Sequence, residues 1–149
     1  PAYLRAYIAE ARRRGAHAVL VTSPERRNFD ESGRIKDTLG SYADAVRKLA
    51  AEERVPLIDL NADSRAIYEA LGPQVAPTAF NDGGKDKTHH NNYGAWLLAS
   101  AVAERIRTQI PELAPHIVAA PFMPAQPPSA AQVAIVPSRA HSDVRPAGN

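Results

Sequence analysis

The sequence predicts an α/β fold in which helices cover a parallel sheet. Two short apolar runs, at residues 17–22 and 55–60, have the length and composition of buried strands. Between them, apolar residues recur at helical spacing over residues 39–53. A strand, a helix and a second strand in this order form a parallel βαβ unit, whose crossover is expected to be right-handed. The length of 149 residues fits a single domain.

The chain opens in an amphipathic helix, with apolar positions at Leu4, Tyr7, Ile8 and Ala11. We expect this helix to end at Gly15, because glycine readily adopts the left-handed conformation that closes many helices. The strand over 17–22 follows, and residues 25–34 are expected to form a loop. A chain that begins directly within a helical pattern is expected to be the interior of a longer protein.

Two further helices are predicted after the second strand. Ser64 is expected to cap a short helix that stops at the Gly-Pro pair of residues 72–73. A loop over 74–92 leads to a last helix, which begins near Gly94 and ends before Pro111. Apolar positions at helical spacing define the buried faces of the 39–53 helix and of the last helix, with Trp96 predicted as core: Leu39, Tyr42, Ala43, Val46 and Leu49 in the first, and Trp96, Ala99, Ser100, Ala103, Ile106 and Ile110 in the second.

The composition changes from residue 115 onward, where prolines alternate with alanine and serine. We therefore divide the chain into a domain portion, residues 1–114, and a Pro/Ala-rich extended tail or linker, residues 115–149. Within the tail, the apolar run 133–136 is expected either to add a short strand or to dock on the body.

Charge and hydropathy exclude several classes of function. The formal net charge is only +2, and most basic residues are scattered or lie beside acidic ones, so a nucleic-acid partner is not expected. No apolar stretch is long enough to span a bilayer. The absence of cysteine excludes disulfides, thiolate metal sites and cysteine nucleophiles.

The run Asp86-Lys87-Thr88-His89 is the feature with the clearest chemical meaning. An Asp three residues before a His, on a loop that leads into a helix, can place both side chains on one side of a turn. The Asp then accepts the Nδ1 proton of the imidazole and leaves Nε2 free to act as a general base toward a nucleophile. His89 is therefore the candidate base, and Asp86 is the residue that orients it.

Two other interpretations of this run are open. Asp82, Asp86, His89 and His90 carry metal-ligating groups, although the side chains of adjacent histidines diverge and no third histidine lies at the usual spacing. Alternatively, the Asp–His contact is a structural hydrogen bond that pins the turn.

The chain offers no obvious nucleophile for such a base. Ser23 precedes a proline at a strand end, Ser64 resembles a helix cap and Ser100 lies on a helix stripe, so each is interpreted as structural. Two apolar strands are also too few for a parallel sheet that is covered on both faces. The sequence therefore predicts a missing half that supplies further strands, either upstream or as a separate chain.

Several blocks follow one another in a distinctive order along the chain: Val-Leu-Val-Thr-Ser-Pro at 19–24, Arg26-Arg27, Tyr42 with Ala-Val-Arg at 45–47, Pro-Leu-Ile-Asp-Leu-Asn at 56–61, Asp-Lys-Thr-His at 86–89, and Gly94-Ala95. Over about residues 1–112 this order resembles the C-terminal half of SGNH/GDSL hydrolases, with rhamnogalacturonan acetylesterases as the nearest subgroup. The resemblance implies a flavodoxin-like three-layer α/β/α fold, with His89 as catalytic base and Asp86 as its partner. It implies neither a cofactor nor a metal.

The resemblance also implies what the complete protein does. It would be a carbohydrate esterase that removes acetyl groups from a pectin-type polysaccharide or oligosaccharide, and it would be secreted or periplasmic. Arg26, Arg27 and Lys87 are candidates for contacts to uronate carboxylates. The family's nucleophile and oxyanion blocks lie in the N-terminal half of the same domain, which is the expected partner, so the isolated chain is predicted to be inactive. The alternative is a non-catalytic carbohydrate-binding or degenerate interaction module.

Overall fold

The computed structural model describes residues 2–135 and has the predicted α/β class, with a small parallel sheet and helices around it. Short 3₁₀ turns lie in the loop before the last helix and in the segment after it. Within the described residues, the helices and strands are α1 Ala2–Arg13, β1 Leu20–Val21, α2 Gly40–Glu53, β2 Leu57–Ile58, α3 Leu60–Val75 and α4 Asn92–Gln109.

The two strands pair in parallel, as the βαβ pattern predicts, with Leu20 opposite Leu57 and Val21 opposite Ile58. The amide of Leu20 donates to the carbonyl of Pro56 at 3.0 Å, and the amide of Thr22 donates to that of Ile58 at 3.1 Å. Both strands are shorter than the apolar runs that predicted them. Each has a single neighbour in the described part of the chain, and Val21 is 48% exposed.

The start of α3 differs from the sequence prediction. Asp59 is the N-cap, and its side chain accepts from the amide of Ala62 at 3.3 Å, so the helix begins at Leu60. The predicted cap at Ser64 is wrong, because this serine lies inside the helix, fully buried. Its hydroxyl donates to the carbonyl of Asn61 at 3.0 Å. Gly72 leaves helical geometry (φ 70°, ψ 169°) where the helix was predicted to stop, and helical turns then resume to Val75.

The predicted end of the first helix agrees with the structure. Gly15 has a φ of 70°, its amide donates to the carbonyl of Arg12 at 3.0 Å, and the amide of Ala16 donates to that of Ala11 at 2.9 Å. This pair of bonds is a Schellman motif, which satisfies carbonyls that the helix leaves free.

Two tyrosines predicted on buried helix faces are exposed instead. Tyr7 is 68% exposed and Tyr42 is 73% exposed, whereas Ile8 and Ala43, one position further on, are buried. Ile8 and Ala43 were predicted on the same faces, so the spacing identified each helix and its core position, and only the tyrosine is wrong in each.

Two clusters of apolar side chains form the core. The smaller lies between α1, β1 and α2, and includes Ile8, Leu20, Leu49 and Ala50. The larger packs α3 against α4 and the 3₁₀ turn between them. On α4 the buried line is Tyr93, Leu97 and Ala101, and Trp96 is only half-buried, with its ring edge-on to Phe122 at 6.1 Å between centroids. The predicted stripe through Trp96 and Ala99 is thus displaced from the observed one.

The proline-rich segment after α4 lies against the body as far as the structure describes it. Phe122 is buried, and its amide donates to Glu104 of α4 at 3.2 Å. The hydroxyl of Tyr93 donates to the carbonyl of Pro128 at 2.7 Å. Val133 and Ile135 pack on the larger core, which agrees with docking, while Val136 and the prolines at 137 and 146 lie outside the described residues. None of the described helices could cross a bilayer.

Candidate active site

The loop before α4 brings Asp86 and His89 into direct contact. Oδ2 of Asp86 lies 2.8 Å from Nδ1 of His89. Oδ1 of the same carboxylate accepts from the amides of Thr88 at 2.7 Å and His89 at 2.9 Å. The side chain of His89 is 75% exposed, and Nδ1 is the ring atom engaged by the protein. A carboxylate therefore orients the imidazole through Nδ1, while most of the side chain stays exposed.

The charge of Asp86 is stabilised by the same contacts. The backbone amides of His89 and Thr88, followed by the imidazole of His89, lower the pKa of Asp86 to about 2. The carboxylate is thus ionised throughout the neutral range, which is the state that accepts a proton from Nδ1.

A short antiparallel pairing holds the two ends of this loop together. Phe80 and His90 form an isolated β-bridge, and the amide of Asn81 donates to the carbonyl of His89 at 3.0 Å. Asn91 then caps α4: its side-chain oxygen accepts from the amide of Gly94 at 3.1 Å. The NH₂ group of Asn91 donates to the carbonyl of Thr78 at 2.8 Å. The side chain that begins the helix therefore also fixes the strand-like segment beside the histidine.

Gly94 is required by the close approach of the two segments. A Cβ at this position would lie 2.1 Å from the carbonyl oxygen of Ala79 and 3.0 Å from the Cβ of His90. Only glycine therefore lets the first turn of α4 pack against the segment before the loop.

His90 points away from His89, into the core. Its Nε2 lies 2.7 Å from the hydroxyl of Tyr68, and its ring packs on Phe80 with centroids 4.5 Å apart. Burial lowers the pKa of His90, with a smaller opposing effect from Asp86. The ring of His90 therefore cannot bind the same metal ion as the ring of His89. No cluster of three metal-ligating side chains occurs among residues 2–135. The metal interpretation of Asp82, Asp86, His89 and His90 is therefore not supported.

The three cationic residues proposed to face substrate are placed differently from one another. Arg26 and Lys87 are exposed, and their backbones are neighbours because the amide of Arg27 donates to the carbonyl of Lys87 at 2.9 Å. The guanidinium of Arg27, by contrast, is buried and directed into the loop that carries Asp86. Arg27 is therefore not in the solvent-facing position expected of a residue that contacts a sugar.

A buried carboxylate that the sequence analysis did not single out supports this region. Glu25 accepts from the hydroxyl of Thr38 at 2.8 Å, the side-chain amide of Asn61 at 3.3 Å and the guanidinium of Arg65 at 3.3 Å. Burial raises the pKa of Glu25, but the hydrogen bonds led by that from Thr38 outweigh it, so the net shift is downward. An acid three residues after the end of the predicted strand, followed by two arginines, was the signal available in the sequence.

The serines do not complete the site. Ser23 is exposed at the end of β1, Ser64 is buried in α3 and Ser100 is half-buried on α4. In the described part of the chain, the ring of His89 is hydrogen-bonded to Asp86 and to no serine.

Comparison with known proteins gives several relatives, although no family model matches. Rhamnogalacturonan acetylesterase RhgT of Bacillus subtilis is 42% identical over 127 residues, covering 78% of this chain and 55% of the relative. Probable rhamnogalacturonan acetylesterase YesY of the same organism is 38% identical, covering 70% of this chain and 49% of the relative. The chain spans about half the length of the curated relatives it matches.

A solved structure resembles the fold as well as the sequence. The crystal structure of YxiM from Bacillus subtilis matches with a TM-score of 0.65 at 31% identity, covering 71% of this chain and 30% of YxiM. YxiM is also described as an uncharacterized esterase. The partial coverage fits the predicted match to a C-terminal half. By sequence and by fold, the chain is similar to part of these esterases, which supports an SGNH hydrolase-like family.

Proposed function

We propose that this chain supplies the base and its orienting carboxylate to an acetylesterase whose nucleophile lies in the half of the domain that the chain does not match. The observation that carries the proposal is the 2.8 Å contact from Nδ1 of His89 to Asp86, with the imidazole otherwise exposed. The names of RhgT and YesY, both rhamnogalacturonan acetylesterases, support the reaction class.

The proposed reaction is a two-step ester hydrolysis. A serine of the missing half attacks the acetyl carbonyl while Nε2 of His89 takes the serine proton. The same proton is then given to the leaving sugar hydroxyl, and the acetyl group remains on the serine. Water repeats the cycle and releases acetate. Asp86 holds the imidazole in the Nδ1–H tautomer and stabilises its positive charge during both steps.

An acetylated, pectin-type polysaccharide is the proposed substrate. Arg26 and Lys87 are exposed on adjacent loops beside the dyad, where two cations suit uronate carboxylates. A substrate of this kind lies outside the cell, so the proposal includes secretion or a periplasmic location.

Hydrolysis of p-nitrophenyl acetate tests the proposal. We would compare the chain alone with a protein in which the upstream half is restored, each with and without His89→Ala. Activity is expected in the restored protein alone, and His89→Ala should lower kcat by about 10³-fold or more, because the base is lost.

Two results would contradict the proposal. His89-dependent activity in the isolated chain would show that the nucleophile lies within it. No activity in the restored protein would favour a non-catalytic carbohydrate-binding module, which binding of acetylated rhamnogalacturonan fragments would then establish.

A further inference from the structure

Arg27 is an arginine buried beside the candidate dyad, with 8% of its surface exposed. Its guanidinium carbon lies 4.9 Å from the centroid of the Phe80 ring, which also packs on His90. Fully buried arginines are rare unless their charge is matched, so this placement calls for a specific partner.

The partners of Arg27 are backbone carbonyls of the loop that carries the dyad. One terminal NH₂ donates to the carbonyl of Gly84 at 2.5 Å and to that of Asp86 at 3.2 Å. The backbone amide of Arg27 donates to the carbonyl of Lys87 at 2.9 Å. Among the described residues, every hydrogen bond that reaches residues 84–88 from outside the 81–91 loop comes from Arg27.

The charge of Arg27 is placed where it would act on the dyad. Burial lowers the pKa of Arg27, and the negative charge of Asp86 opposes that shift. Within the described chain, Nε of Arg27 is buried without a hydrogen-bond partner. The contacts of the guanidinium are the two loop carbonyls and the face of the Phe80 ring. The backbone around Asp86 is thereby held by one residue: the side chain of Arg27 binds the carbonyls of Gly84 and Asp86, and its backbone amide binds that of Lys87.

We propose that Arg27 is the positioning residue of the Asp86–His89 pair, holding the 84–87 backbone so that the carboxylate stays in line with Nδ1 of His89. This inference rests on the proposed function, since it assigns a role toward the same base. Displacement of the loop by even a fraction of an ångström would lengthen the contact on which the tautomer of His89 depends.

The tautomer of His89 can be measured without any hydrolysis. We would record two-bond ¹H–¹⁵N correlation spectra of the whole chain with ¹⁵N-labelled histidine, above the ordinary histidine pKa. Arg27→Met is expected to lower the ratio of Nδ1–H to Nε2–H in His89 by about tenfold, the factor for a weakened hydrogen bond to a charged group. Arg34→Met, at an exposed arginine of the same segment, is the matched control and should leave the ratio unchanged.

Arg27→Lys keeps the experiment decisive if Arg27→Met does not fold. An ammonium group retains the buried charge but lacks the planar guanidinium that lies over Phe80 while one NH₂ group reaches both carbonyls, so the ratio should still fall, by less than in Arg27→Met. An unchanged ratio in either folded variant would overturn the proposal and leave Arg27 as a structural residue. In the restored esterase, Arg27→Lys should lower kcat with little change in KM. Because the tautomer is read in the isolated chain, a failure of the proposed hydrolysis would be distinguishable from a failure of this assignment.

Discussion

At the scale of single residues, adjacent histidines have opposite environments. His89 is exposed and bonded to Asp86, whereas His90 is largely enclosed by Tyr68 and Phe80. Placing one imidazole in the core anchors the chain immediately after the other. The cost of that anchor is a dependence on pH, because a buried imidazole resists protonation.

Replacement of His90 tests this dependence. Burial lowers the pKa of His90 in the folded chain, so the unfolded chain takes up the proton first as the pH falls. The contribution of His90 to stability is therefore fully present above about pH 6.5 and is lost as the pH drops through the folded pKa. His90→Phe should be less stable at neutral pH, since the hydroxyl of Tyr68 loses a partner, but should lose less on acidification. Thermal unfolding from neutral to mildly acidic pH measures both effects. The exposed His17→Gln is the control, and an equal acid loss in the parent and in His90→Phe would contradict the explanation.

The sequence was informative about this site where the interactions are local. Asp86 and His89 are three residues apart, so the spacing itself predicts that they meet. Arg27 lies 57 residues before Gly84 and 59 before Asp86, and no local pattern indicates that its guanidinium turns inward to their carbonyls. The catalytic role of the pair stays a prediction.

At the scale of elements, one ion pair connects α3 to α4. Nε of Arg105 donates to Oδ2 of Asp63 at 2.8 Å, and Nη2 donates to Oδ1 at 2.6 Å. The side chain of Asp63 is 4% exposed and that of Arg105 is 39% exposed. The carboxylate is therefore the desolvated partner, and it depends on the arginine for compensation.

Arg105→Leu should destabilise the chain by about 2 to 3 kcal/mol, because it leaves a buried carboxylate uncompensated, with some relief from solvent near the arginine. The double variant Asp63→Leu/Arg105→Leu should recover most of that loss, since it removes the buried charge as well. Urea denaturation of both single variants and the double variant gives the coupling energy. Arg13→Gln, in an exposed pair with Glu10, is the control and should leave the free energy of unfolding almost unchanged. A loss in Arg105→Leu no larger than in the control would contradict the argument.

The elements also show where helical periodicity is a weak guide. It located α2 and α4 to within a few residues and correctly placed Ala43 and Leu49 of α2 in the core, although Tyr42 is exposed. It misplaced the buried line of α4, which runs through Tyr93, Leu97 and Ala101. The start of α3 was missed because Leu60 follows Asp59 directly and so extends the apolar pattern of residues 55–58, which placed the first helical residue in the predicted strand.

At the scale of the whole molecule, the sheet formed by residues 2–135 is open on one side of β1. The amides of Leu20 and Thr22 bond to β2, and because alternate residues of a strand point to opposite edges, the amide of Val21 points away from it. With Val21 48% exposed, this edge has the character of an interior strand that lacks a neighbour. The proposed missing half would supply that neighbour.

Amide hydrogen exchange at β1 measures this directly. In the isolated chain, the amides of Leu20 and Thr22 should exchange slowly and that of Val21 quickly. In the protein with the upstream half restored, the amide of Val21 should slow by about 10³-fold, as expected when an edge amide joins the protected core, while that of Leu20 serves as the internal reference. Slow exchange of Val21 in the isolated chain would mean that the edge is already covered. Fast exchange in the restored protein would mean that the upstream half packs elsewhere, and the serine that it carries would then have no structural reason to reach His89.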